Sequence, residues 1–181
     1  SPKDADWMAG IGKPLEVQFK DFAQSEAEWT SMLTTYRAFN AEHHDALART
    51  FDGMKACLDQ LLGQVPLGLV TSKSRVGVER GFNTFGLHNY FKVTITADDV
   101  GSPKPAPEPV LLAAERMRVK ANHCLMVGDS PHDITAGAAA GAVTGAAGWG
   151  AFDVSALRAA GPNHWLAQPK DLLELVLPKG S

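Results

Sequence analysis

From Phe51 onward the chain repeats one pattern, in which a short apolar run is followed by a stretch with helical spacing and then by another apolar run. Met54, Cys57, Leu58, Leu61 and Leu62 recur at helical intervals, with Gly63 as the stop. A strand-like run over 66–70 comes next, then a helix through Val76, Phe82 and Phe85 closed by Gly86, then a second strand over 93–96. Pro107 opens a helix through Val110, Leu111 and Ala114, as its fixed φ suits a first helical turn. Strands over 124–127, 142–147 and 164–167, a helix around Ile134 and Ala138, and a terminal helix through Leu172, Leu173 and Val176 complete the series. Strand and helix alternating at this spacing imply right-handed crossovers, and so an α/β fold: a Rossmann-like parallel sheet with helices on both faces.

The first fifty residues have a different texture. Trp29, Met32, Leu33, Tyr36 and Phe39 form one stripe of an amphipathic helix, and Ser25 with Glu28 has the capping-box spacing at its start. Leu15, Val17 and Phe19 alternate like a strand, while Glu16, Gln18 and Lys20 suit an exposed helix face equally well. The chain thus divides into a helical attachment over 1–50 and an α/β core over 51–181, and its 181 residues suit one compact domain with an appendage.

Seventeen basic and twenty acidic residues give a net charge of −3, which offers no field for nucleic acid or an anionic membrane surface. Cys57 and Cys124 lie far apart in apolar segments, which fits reduced thiols in a cytoplasmic protein. No apolar run approaches the ~20 residues of a membrane span, and no signal pattern opens the sequence.

In open α/β sheets, ligands bind outside the carboxyl ends of the strands. The first strand is followed by Thr71, Ser72 and Lys73, which read either as a phosphate cradle or as helix caps. The second leads into Asp98 and Asp99, then to Lys104 between Pro103 and Pro105, where the prolines restrict the direction of the lysine stem. The third strand ends in Gly128-Asp129-Ser130-Pro131-His132-Asp133. Two carboxylates at about 6 Å with an effective dielectric of 20 repel by roughly 3 kcal/mol, so a cation belongs beside them. Hard oxygen ligands favour Mg²⁺, whereas the alternative has Asp129 and Asp133 capping a helix and complementing its dipole. His132 reads either as a ligand or as an exposed loop histidine. Together the three clusters set hydroxyls, a lysine and paired carboxylates around one crevice, a set that suits a phosphoryl group and Mg²⁺.

The strand ending in Thr71, the loop lysine Lys104 and the Gly-Asp-Ser-Pro-His-Asp run resemble the second, third and fourth motifs of the haloacid dehalogenase superfamily. Gly10-Ile11-Gly12-Lys13-Pro14 resembles a segment of that family's helical cap, and Phe51-Asp52-Gly53-Met54 resembles the entry to its core. Leu69-Val70-Thr71-Ser72-Lys73, Lys104-Pro105-Ala106-Pro107-Glu108 and Trp149-Gly150 are similar to the phosphoglycolate phosphatase and inorganic pyrophosphatase branches. The resemblance implies a Mg²⁺-dependent phosphohydrolase of a small phosphorylated metabolite, working through an aspartyl-phosphate, with phosphoglycolate or pyrophosphate as candidate substrates. It further implies catalytic roles for Thr71 and Lys104, metal binding by Asp129 supported by Asp133, and substrate contacts from Ser72, Lys13 and Arg75.

The family's first motif, a strand ending in Asp-x-Asp-Gly-Thr that supplies the nucleophile, has no counterpart here. Asp4-Ala5-Asp6 has the acidic spacing but neither a strand before it nor a glycine turn after it. The expectation is that about forty further residues upstream carry that strand, in line with ordinary domain size, and that residues 1–181 alone are inactive. Residues 1–50 are then a partial cap, and residues 51–181 a core without its first strand, whose absence would separate the remaining strands. A noncatalytic relative that binds phosphate or a protein is the alternative of a different class.

Overall fold

A computed structural model describes residues 3, 6–7, 10, 12–150 and 153–178. Helix α1 (Leu15–Phe22) settles the ambiguous alternation at Leu15, Val17 and Phe19 in favour of a helix. It packs on α2 (Glu26–Leu47), where Trp29 donates its indole N–H to the carbonyl of Glu16 at 3.0 Å and Phe19 meets Tyr36 edge-on. Ser25 caps α2 by accepting from the Glu28 amide, but the Glu28 carboxylate reaches the amide of Gln24 instead of completing the expected box. Of the α2 stripe, Leu33 is buried, whereas Tyr36 and Phe39 are exposed at 42% and 53%.

The α/β part runs α3 (Met54–Leu61), β1 (Gly68–Val70), α4 (Arg75–Phe85), β2 (Val93–Ile95), a 3₁₀ turn (Ala97–Asp99) and α5 (Glu108–Met117). A second 3₁₀ turn (Ala121–His123), β3 (Leu125–Gly128), α6 (Pro131–Ala139), β4 (Val143–Ala147), α7 (Val154–Ala159), β5 (His164–Leu166) and α8 (Asp171–Val176) follow. Every strand pairing is parallel, as the alternation requires. The strands nevertheless form two sheets, β1–β2 and β3–β4–β5.

Helix α5 lies on β1, β2 and α6, while α6 lies on β3 and β4, so the helix pair joins the two sheets. Ala136 of α6 packs with Val110 and Ala142, and Ile134, two residues earlier in α6, packs with Ala146 and Leu157. Central β4 is buried from Thr144 to Ala147. Leu69 and Val70 of β1, and all of β3, are only half-buried despite their apolar character. Both cysteines are free, with Cys57 buried and Cys124 half-buried. Among the described residues, no helix is long and apolar enough to cross a membrane.

Candidate phosphoryl-transfer site

Strand β1 delivers Thr71 at its carboxyl end, where the Thr71 amide continues the ladder to the carbonyl of Ile95 at 2.9 Å. The Lys73 amide donates to Thr71 Oγ1 at 3.2 Å, so the hydroxyl already accepts from its own turn and keeps its proton for an outside acceptor. Ser72 donates its hydroxyl to the Gly12 carbonyl at 2.7 Å, and its amide donates to no backbone group among the described residues.

Lys104 is 8% exposed, and its Nζ lies 2.5 Å from Asp133 Oδ1. The other Asp133 oxygen accepts from Ser130, both from the amide at 3.1 Å and from the hydroxyl at 2.8 Å. Ser130 in turn accepts from the Asp133 amide, closing a capping box at the start of α6. The spacing Ser130-x-x-Asp133 is the sequence signal for this box, which gives Ser130 a place beside the candidate residues. Gly128 makes the arrangement possible, because a Cβ there would lie 2.2 Å from Asp133 Cβ.

Asp129 is exposed and receives no hydrogen bond from another side chain among the described residues. Surrounding protein desolvates it enough to raise its carboxyl above the ordinary range, and the charge of Asp133 adds to that effect against Lys104. Gly150 lines the same spot, since a Cβ at that position would come 2.9 Å from Asp129 Oδ2. A carboxylate with no side-chain partner is chemically suited to a hard cation such as Mg²⁺, whose charge would offset the cost of its desolvation. Both oxygens of Asp133 are already engaged. No group of three or more His, Cys, Asp or Glu side chains able to hold a metal occurs among the described residues.

The N-terminal segment closes one side of the site. Gly12 sits at φ +98°, and a Cβ there would come 2.9 Å from Ser130 Oγ and 3.1 Å from the His132 ring, so this turn nests between the Ser72 and Ser130 loops. His132 is half-buried rather than exposed, since the Gly12 turn covers it; burial lowers its pKa, Asp133 opposes this, and Lys13 and Lys104 reinforce it. Lys13 itself pairs with Asp21 at 2.8 Å. Arg75 is committed to Asp99 and to the Thr94 carbonyl. Asp4 and Ala5 lie outside the described residues, and Asp6 accepts from the amide of Lys3. A separate open groove of about 570 Å³ lies between α2 and α4, but its Arg80 is bound to Asn40 and its Thr84 to Asp45.

The model of the haloacid dehalogenase-like hydrolase family matches residues 1–147. The chain belongs to that family. A pyrophosphatase PpaX of Bacillus velezensis is 36% identical over 174 residues, spanning 96% of this hydrolase and 80% of the relative. A crystal structure from Lactobacillus plantarum, described as a candidate phosphoglycolate phosphatase, superposes with a TM-score of 0.83 at 29% identity, covering 96% of this chain and 82% of that one. A second candidate phosphoglycolate phosphatase, from Haemophilus somnus, shares the fold with a TM-score of 0.86 at 22% identity over 96% of this chain and 82% of its own. Within the hydrolase family's α/β fold, Thr71, Lys104 and Asp129 follow β1, β2 and β3, with Lys104 on Asp133 and the Ser72 loop joined through the Gly12 turn to the Ser130 loop.

Proposed function

We propose that this hydrolase is a Mg²⁺-dependent phosphatase of a small phosphorylated metabolite, with pyrophosphate and phosphoglycolate, named for its relatives, as the first candidates. The observation that carries the reading is the buried Lys104–Asp133 pair, linked through Ser130 and the Gly12 turn to Ser72. A lysine fixed in this way presents positive charge at a set place without reorganising when charge develops on a phosphoryl group. Thr71 donates its hydroxyl to a phosphoryl oxygen and Ser72 offers its amide. Asp129 holds the cation, while Asp133 supports the site by orienting Lys104. When bound, Mg²⁺ neutralises phosphate charge and polarises the bond to the leaving group.

The nucleophile in this reading is an aspartate on a strand between β1 and β3, borne by sequence upstream of residue 1 and phosphorylated in the first half-reaction. Two observations support that place: the division of the strands into two sheets, and the half-buried apolar faces of β1 and β3. Residues 1–50 act as a helical cap, whose Gly12 turn excludes water from the site and whose Lys13 lies near enough to His132 to influence it.

A phosphate-release screen of the full-length protein over small phosphate esters and pyrophosphate, with and without Mg²⁺, tests the proposal. Release should require the metal, and Asp129→Ala should lower it by on the order of 100-fold or more. Undiminished release by Asp129→Ala without added metal would refute the assignment.

A further inference from the structure

Arg75, Asp98 and Asp99 are prominent in the sequence but have no part in the site as described. Arg75 is the first residue of α4, three positions after Ser72. Asp98 and Asp99 close the 3₁₀ turn that opens the loop to Lys104. The Arg75 amide donates to Asp98 Oδ2 at 2.7 Å, its guanidinium pairs with Asp99, and the Ala97 amide donates to the Lys73 carbonyl at 3.0 Å. All three bonds join the loop that carries Thr71 and Ser72 to the loop that carries Lys104.

Asp99 is itself held in place. It accepts from the amide and the hydroxyl of fully buried Thr96 at 2.8 and 2.7 Å, and Arg116 approaches its other oxygen at 3.3 Å. The far side of the same loop is fastened by Glu108, whose carboxylate accepts from the amides of Gly101 and Ser102 at 2.9 and 2.8 Å. The Thr96–Asp99 box alone would satisfy the 3₁₀ turn. Nothing local requires the added bond to an arginine 24 residues away, and its effect is to fix the distance between two loops.

We infer that Asp99 and Arg75 are positioning residues, a strut that holds the Thr71–Ser72 turn and the Lys104 loop in register so that hydroxyl and ammonium meet the same phosphoryl group. The inference rests on the phosphatase reading and assigns Arg75 a role different from substrate contact. Its guanidinium is used by Asp99 and the Thr94 carbonyl, so its removal acts on geometry. A misplacement of about 1 Å at a reacting centre can lower rate by ~100-fold.

The test uses the full-length enzyme and whichever ester of the screen it hydrolyses fastest. Arg75→Met removes the strut and leaves the Thr96–Asp99 box intact. It should lower kcat by about 10- to 100-fold with KM within about threefold, and Arg75→Lys should recover part of the loss. Arg116→Ala removes the outer partner of the same carboxylate and should change kcat by less than about threefold. A rise in KM at unchanged kcat for Arg75→Met would overturn the inference in favour of substrate contact, and unchanged kinetics would overturn it outright. Absence of phosphate release by the wild-type enzyme across the screen would refute the phosphatase reading itself, and the strut with it.

Discussion

Lys104 and Asp133 show how much one side chain depends on another far away in sequence. Each is 8% exposed, and they lie 29 residues apart in the chain. Removing one charge leaves the other buried without its partner, a defect that costs about 3–5 kcal/mol. Asp133→Asn should therefore lower unfolding free energy by that amount in urea titrations, and a loss below about 1 kcal/mol would contradict the burial of the pair. Asp99 gives a pH signature. Burial pushes its carboxyl up, but the amide and hydroxyl of Thr96, then Arg116 and Arg75, hold it at about 2. A carboxyl that binds its proton less tightly folded than unfolded stabilises the fold above its ordinary value near 3.8, and that contribution disappears as pH falls toward 2. Between about pH 4 and 2, urea midpoints should thus fall more steeply for the parent than for Asp99→Asn; parallel curves would contradict this. The strand ends that carry the candidate site residues are legible because they can be found from local periodicity alone. Their partners were not, because the turn of Arg75 toward Asp99 depends on a loop 24 residues away.

At the level of elements, the alternation from Phe51 onward located all five strands to within one or two residues, with β1 beginning at Gly68 rather than at position 66. Period could not decide α1, since Leu15, Val17 and Phe19 fit either spacing; packing on α2 decides it. The α2 stripe reads as one amphipathic face, and it is covered only along its first half, where α1 lies against it. Close approach imposes a harder constraint at the start of α6. Gly128 lets the Asp133 side chain lie on the end of β3, and Gly128→Ala would force a Cβ to within 2.2 Å of it. Overpacking of this kind costs about 1–3 kcal/mol, and because it displaces the partner of Lys104 it should also abolish Mg²⁺-dependent phosphate release. A variant of parental stability and activity would show that the β3–α6 junction is looser than described.

For the molecule as a whole, the division between β1–β2 and β3–β4–β5 is the feature on which the functional reading turns. Local sequence pattern predicts strands, but which of them share a ladder depends on what lies between them, so the alternation alone did not show the division. Short, half-buried β1 and β3 carry no charged residue, although charge is one of the usual protections of an open edge strand. If an upstream strand fills that place, amides on the open edges of β1 and β3 should exchange much more slowly in the full-length protein than in residues 1–181. Equal exchange in the two would mean that the edges stay open. On the proposed reading the strut, the lysine–aspartate pair and the Gly12 turn converge on one phosphoryl site at the strands' carboxyl ends. A crystal structure of the full-length protein with Mg²⁺ and orthovanadate measures that convergence directly. The account predicts the cation on Asp129 and vanadate within hydrogen-bond reach of Thr71 Oγ1, the Ser72 amide and Lys104 Nζ; vanadate bound away from Lys104, or a cation that leaves Asp129 untouched, would contradict it.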